Sequence, residues 1–128
     1  MRLLSLLIFC LALIGCASPP QLSTSLDIRK ESDSVIIVKL KITNLENRVT
    51  VPIAVDLEGQ SELNGHWEKP STLLHPAAFV LNRKEQREIT KIWRVPADAV
   101  RTTLTLREQE TGNLLKSEKS EKSFAAPK

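Results

Sequence analysis

Between residues 35 and 57 apolar side chains recur at every second position, and this alternation constrains the fold more than any other feature of the chain. Ile36, Val38, Leu40 and Ile42 share one parity, with Lys39, Lys41 and Thr43 on the other. A helix turns about 100° per residue and would scatter such a set around its axis, whereas a strand sends successive side chains to opposite faces. The β-branched Ile and Val also favour extended backbone. Val49, Val51, Ile53, Val55 and Leu57 repeat the pattern against Thr50, Pro52, Ala54 and Asp56, which predicts a second strand over 49–57. Pro52 has no N–H to donate, so it predicts an edge position or a bulge in that strand.

The remaining chain reads as short strands separated by turns. A first strand is expected at Leu26-Asp27-Ile28, with turns over 31–34 and 44–48. Residues 58–76 are irregular, punctuated by Gly59, Gly65, Pro70 and Pro76, with a short strand near Trp67. Phe79-Val80-Leu81 is a brief strand, followed by a polar turn over 82–85. Residues 88–95 form the next, with Ile89, Trp93 and Val95 inward and Lys91 a misfit on that parity. After a corner at 96–99, Thr102, Leu104 and Leu106 alternate with Arg101, Thr103, Thr105 and Arg107. Glu110-Thr111-Gly112-Asn113 is a hairpin loop in which Gly112 can take positive φ. Residues 114–117 return along it, and the Lys/Glu/Ser-rich residues 119–128 are expected to be a disordered charged tail. These signals predict an all-β fold, a single antiparallel Ig-like β-sandwich of seven to eight strands over residues 25–118. A chain of 128 residues holds one such domain.

The N-terminus has a different character. Met1-Arg2 is a basic start, and residues 3–14 form a mostly apolar run of signal-peptide length, well short of the ~20 residues that span a bilayer. The run stops at Leu13-Ile14-Gly15-Cys16 and gives way to Ala17-Ser18-Pro19-Pro20. That tetrad resembles the lipobox of bacterial lipoproteins, in which a small residue precedes an acylated cysteine. The resemblance implies cleavage between Gly15 and Cys16, loss of residues 1–15, and a diacylglyceryl thioether on Cys16. Ala17 stands where enteric members carry an inner-membrane retention aspartate, which implies the periplasmic face of the outer membrane. Residues 16–24 would then be a Pro-stiffened tether of at most ~27 Å. Cys10 leaves with the leader and Cys16 is consumed, so no disulfide or thiolate metal site is expected.

Two further resemblances arise in the folded part. Ile42-Thr43-Asn44-Leu45-Glu46-Asn47, with Leu81-Asn82-Arg83-Lys84-Glu85-Gln86 and Ile89 later, resembles the N-terminal immunoglobulin-like domain of periplasmic pilus chaperones. The chaperones' carboxylate-binding cleft needs a second domain, so no functional residue is carried over. The order Leu81, Lys84-Glu85, Ile89, Pro96-Ala97-Asp98-Ala99 and Leu106-Arg107-Glu108 is similar to small envelope lipoproteins of the YcfL type. Both imply an Ig-like sandwich rather than a reaction.

Chemistry-bearing constellations are sparse. His66 and His75 stand nine apart without the convergent ligand spacing of a metal site, and the four glycines are isolated turn residues rather than a phosphate loop. No Gly-x-Ser-x-Gly elbow occurs. No catalytic residue, metal or cofactor is therefore expected. Basic and acidic residues are interspersed, with a formal charge of +3, whereas nucleic-acid binding normally shows a concentrated basic face. Trp67 folds back as a lid over the sandwich or stands out as a binding anchor with His66 and Pro70, and Trp93 is expected in the core. The expected role is a non-catalytic, membrane-anchored module that docks an envelope protein through a strand edge, with Pro52 guarding one edge, or through the 58–76 loop. Its partners are the bilayer through acylated Cys16 and that protein, with no nucleic acid and no evident small-molecule substrate. The alternative is a carrier holding a small lipid or glycan between the sheets, in a gap near Trp67 and Trp93.

Overall fold

The computed structural model describes residues 21–124. Gly15, Cys16, the leader and residues 16–20 of the tether lie outside the described residues, as do residues 125–128 of the tail. Eight strands follow in chain order: β1 (Leu22–Ser32), β2 (Val35–Asn44), β3 (Ile53–Leu63), β4 (His66–Trp67), β5 (Ser71–Leu74), β6 (Gln86–Trp93), β7 (Ala99–Glu108) and β8 (Leu114–Ser123). All pairings are antiparallel. One sheet has the order β1-β2-β6, and the other runs β4-β3-β7-β8 with β5 also paired to β3. The two sheets form the sandwich that the alternation predicts.

The core lies between them. Ile36, Val38, Leu40 and Ile42 of β2 meet Ile53, Val55 and Leu57 of β3 and Leu104 and Leu106 of β7, all essentially without solvent contact. Trp93 packs against this core, as expected. It faces Gly59 of β3, where an added Cβ would stand 3.0 Å from the Trp93 ring and 2.6 Å from Leu73 Cδ1. Gly59 therefore sits within a strand because β5 and β6 close over it, not because the chain turns there.

Several boundaries differ from expectation. β1 takes in residues 22–24 of the expected tether, because Leu22, Leu26 and Ile28 face inward while Ser23, Ser25 and Asp27 face solvent, an amphipathic strand rather than a linker. β3 starts after Pro52, not at Val49. Val49 and Val51 are 54% and 44% exposed whereas Thr50 is buried, so the chain changes face at Pro52 as it crosses between the sheets. Pro52 thus guards no edge: it precedes β3, an interior strand, and its carbonyl accepts the Gln109 N–H. β3 instead runs on to Leu63 and turns into β4 through Asn64 (φ 55°) and Gly65 (φ 80°), an Asn-Gly hairpin inside the region read as irregular. The expected strand at 79–81 is a single bridge, Ile53 to Phe79.

The largest correction concerns the tail. Residues 119–123 are not disordered but belong to β8, which pairs with β7 from Arg107↔Leu114 to Ala99↔Ser123. Its inward positions are Lys116, Glu118, Ser120 and Lys122, polar because β8 is an edge strand. They close the side of the sandwich against β1: Thr24 donates to Glu118 (2.8 Å) and Lys122 donates to the Ile28 carbonyl, while Ser120 meets the Thr102 hydroxyl of β7 at 2.7 Å.

Candidate functional site

Cross-strand partners share a face of a sheet. The register Trp67↔Glu62↔Ala99 and Gln60↔Arg101↔Glu121 therefore places Trp67, Gln60, Arg101 and Glu121 together on the outer face of the five-stranded sheet. Trp67 is half-buried there, with the Arg101 guanidinium 3.8 Å from its ring centroid. Arg101 Nε also donates to Glu121 Oε2 at 3.3 Å. An exposed stack of this kind contributes ~0.5–1 kcal/mol, so its consequence is positional: it holds an indole and a guanidinium together on the outer face of the sheet. Beside the stack a groove of about 460 Å³ runs between Gln60, Arg101, Thr103, Lys119 and Glu121.

Trp67 is thus not a lid over the core, since it occupies the opposite face of its sheet. Pro70 lies near the stack, lining a small cleft with Glu58, Gln60 and Arg101. His66, adjacent to Trp67 on β4, points to the other side and pairs with Leu63. His75 lies well along the same outer face, with Asp56, Thr105 and Arg107. Of the expected residues, the structure brings together Trp67 and Pro70 and leaves His66 apart. Arg101, Gln60, Lys119 and Glu121 were missed. Arg101 carried a signal, as a charged residue on the outward parity of an apolar strand, but Lys119 and Glu121 read as tail.

The edges on β1, β6 and β8 are poorly suited to adding a partner strand. The inward parity of edge strand β6 holds Arg87 and Lys91, opposite buried Ile42 and Val38, and Arg87 stacks on Phe79 at 4.3 Å. Edge strand β8 has its inward Lys and Glu residues, and β1 has Lys30, which donates to the Ala97 carbonyl at 2.9 Å. Inward charges on edges oppose strand addition, because a docked strand would bury them. Among the described residues no three His, Cys, Asp or Glu groups converge as metal ligands, and no helix is long and apolar enough to cross a membrane.

No family model and no curated protein matches the chain. Solved structures do. The CARDB domain of a Pyrococcus furiosus protein, in complex with two metal ions, superposes with a TM-score of 0.53 at 18% identity, over 81% of this chain and 92% of that one. A Bordetella pertussis protein provisionally named ApaA gives 0.57 at 17%, over 86% and 97%. The alkylpurine DNA glycosylase AlkC of Pseudomonas fluorescens, bound to abasic-site DNA, gives 0.52 at 16%, over 87% of this chain but 33% of that one. The fold is an immunoglobulin-like β-sandwich. At these identities the likeness carries the architecture alone, shared by proteins whose names describe unrelated tasks.

Proposed function

We propose that this chain is a non-catalytic lipoprotein, anchored through acylated Cys16 at the periplasmic face of the outer membrane, that docks an envelope protein. The docking surface is the outer face of the five-stranded sheet around Trp67 and Arg101. One observation carries this choice of surface: the indole lies outside the core, stacked against Arg101 beside a groove. Tryptophan and arginine are the side chains most over-represented among interface residues with large binding contributions. The inward charges on β1, β6 and β8 argue for this face over a strand edge. The anchor rests on the Leu13-Ile14-Gly15-Cys16 tetrad behind its apolar run. A carrier between the sheets has less support, because Trp67 is on the outer face and Trp93 and Leu73 fill the space at Gly59.

Cross-linking in intact envelopes, followed by detergent extraction and pull-down, tests the docking surface. The wild-type chain should recover an envelope protein that Trp67→Ala and Arg101→Ala both lose while keeping the wild-type denaturation midpoint. Identical recovery from wild type and both variants overturns the surface. Intact mass of the membrane-extracted chain tests the anchor, with acyl mass expected on the wild type and absent from Cys16→Ala.

A further inference from the structure

Exposed apolar side chains are unevenly placed. Of the seven large ones among the described residues, Leu45, Val49, Val51, Val80 and Leu114 gather at one end of the sandwich, leaving Leu63 and Ile92 elsewhere. Backbone bonds tie that end together. Thr50 N–H donates to the Leu81 carbonyl at 2.9 Å, setting Val49 and Val51 beside Val80. Gln109 N–H donates to the Pro52 carbonyl at 2.9 Å, bringing the β7–β8 hairpin, and Leu114 after it, alongside. Leu45 N–H donates to the Gln21 carbonyl at 3.0 Å, so the first described residue leaves from this same end.

Cys16 lies five positions before Gln21, a reach of at most ~18 Å. If lipid holds Cys16, this is the end that faces the bilayer. Isolated apolar residues on a surface need no explanation, but a group of them at one end does. We infer that this end seats on the lipid surface, with Val49, Val51, Val80, Leu45 and Leu114 entering the boundary between headgroups and acyl chains. The inference rests on the anchored reading above. Its charges are near balance: Arg48 pairs with Glu46 at 2.8 Å and Arg87 with Glu85 at 3.8 Å, while Arg83, Lys84 and Arg107 stand against Glu108 and Glu110. Apolar burial, not attraction to anionic lipid, therefore drives the seating, and it persists at high salt.

The test uses the acylated full chain in phosphatidylethanolamine–phosphatidylglycerol vesicles. Acylation consumes Cys16 and cleavage removes Cys10, so single cysteines introduced by Val49→Cys, Val80→Cys or Ile92→Cys can carry an environment-sensitive fluorophore alone. Labels at 49 and 80 should shift to the blue and lose emission to spin-labelled lipid, in low and high salt alike. The label at 92 should behave as in water. A chain that carries acyl mass and floats with the vesicles, yet has water-like labels at 49 and 80, overturns the seating and leaves the anchor standing. A chain without acyl mass on Cys16 overturns both. Quenching at 49 and 80 that disappears in high salt overturns the apolar mechanism.

Discussion

Asn44 shows how much a single buried polar residue can determine. It has no exposed surface, and its Nδ2 donates to the carbonyls of Arg48 (2.7 Å) and Asn82 (3.0 Å) while Oδ1 accepts the Glu46 N–H (3.0 Å). Its own N–H reaches the Glu85 carbonyl at 2.9 Å, so one side chain and one amide organise both loops leaving this end. Asn44→Ala would leave part-buried backbone groups without these partners and should lower unfolding free energy by about 2 kcal/mol, read as a reduced urea midpoint with unchanged slope. The neighbouring Glu46–Arg48 pair differs in kind. The Arg48 hydrogen bond holds the Glu46 carboxyl below the usual carboxylate range, but the pair lies at the surface with the Arg48 side chain mostly in solvent. A depressed carboxylate stabilises the fold above its unfolded pKa and loses that contribution as pH falls, yet solvent screening keeps this pair's share small.

At the scale of elements, β8 is the clearest case. Eight of its ten residues are Lys, Glu or Ser, yet it pairs with β7 throughout because every inward position lies at the sheet edge, against β1 rather than under a second layer. Amide exchange should show protection of the residue 115–123 amides directed at β7, where a disordered tail would exchange as a free peptide. Removing residues 118–128 should cost about 2 kcal/mol and expose the β7 edge, detectable as a lower midpoint and concentration-dependent self-association. β3 shows the converse. Alternation continued N-terminally through Val49 and Val51, but those residues belong to a crossover, since a period of two cannot reveal where Pro52 switches the chain between faces.

For the whole molecule, the two candidate surfaces occupy opposite ends. Trp67 pairs beside Glu62 and Ala99, at the end of β3 and start of β7, whereas Val49, Val80 and Leu114 flank the start of β3 and end of β7. Nine residues of strand separate them, about 30 Å. Effects at such separation should be independent. Val49→Ser with Leu114→Ser should abolish lipid quenching of a label carried at position 80 and retain partner recovery, while Trp67→Ala should do the reverse. A combined variant measured in both assays checks this, and a loss in both from either change alone would contradict it. Of this architecture, the sequence by itself determined the period of two, the strands over 35–43 and 101–107, the Gly112 turn and the inward Trp93. Those follow from local backbone geometry and the sorting of apolar side chains from water, which any stretch of chain carries within itself. Tertiary structure alone decided that Trp67 faces outward onto Arg101, that Gly59 lies under Leu73 and Trp93, that a polar tail is an edge strand, and that five exposed apolar residues share the end from which the chain runs back toward Cys16. Each depends on pairing between residues distant in sequence, and a one-dimensional pattern holds no record of which strands become neighbours.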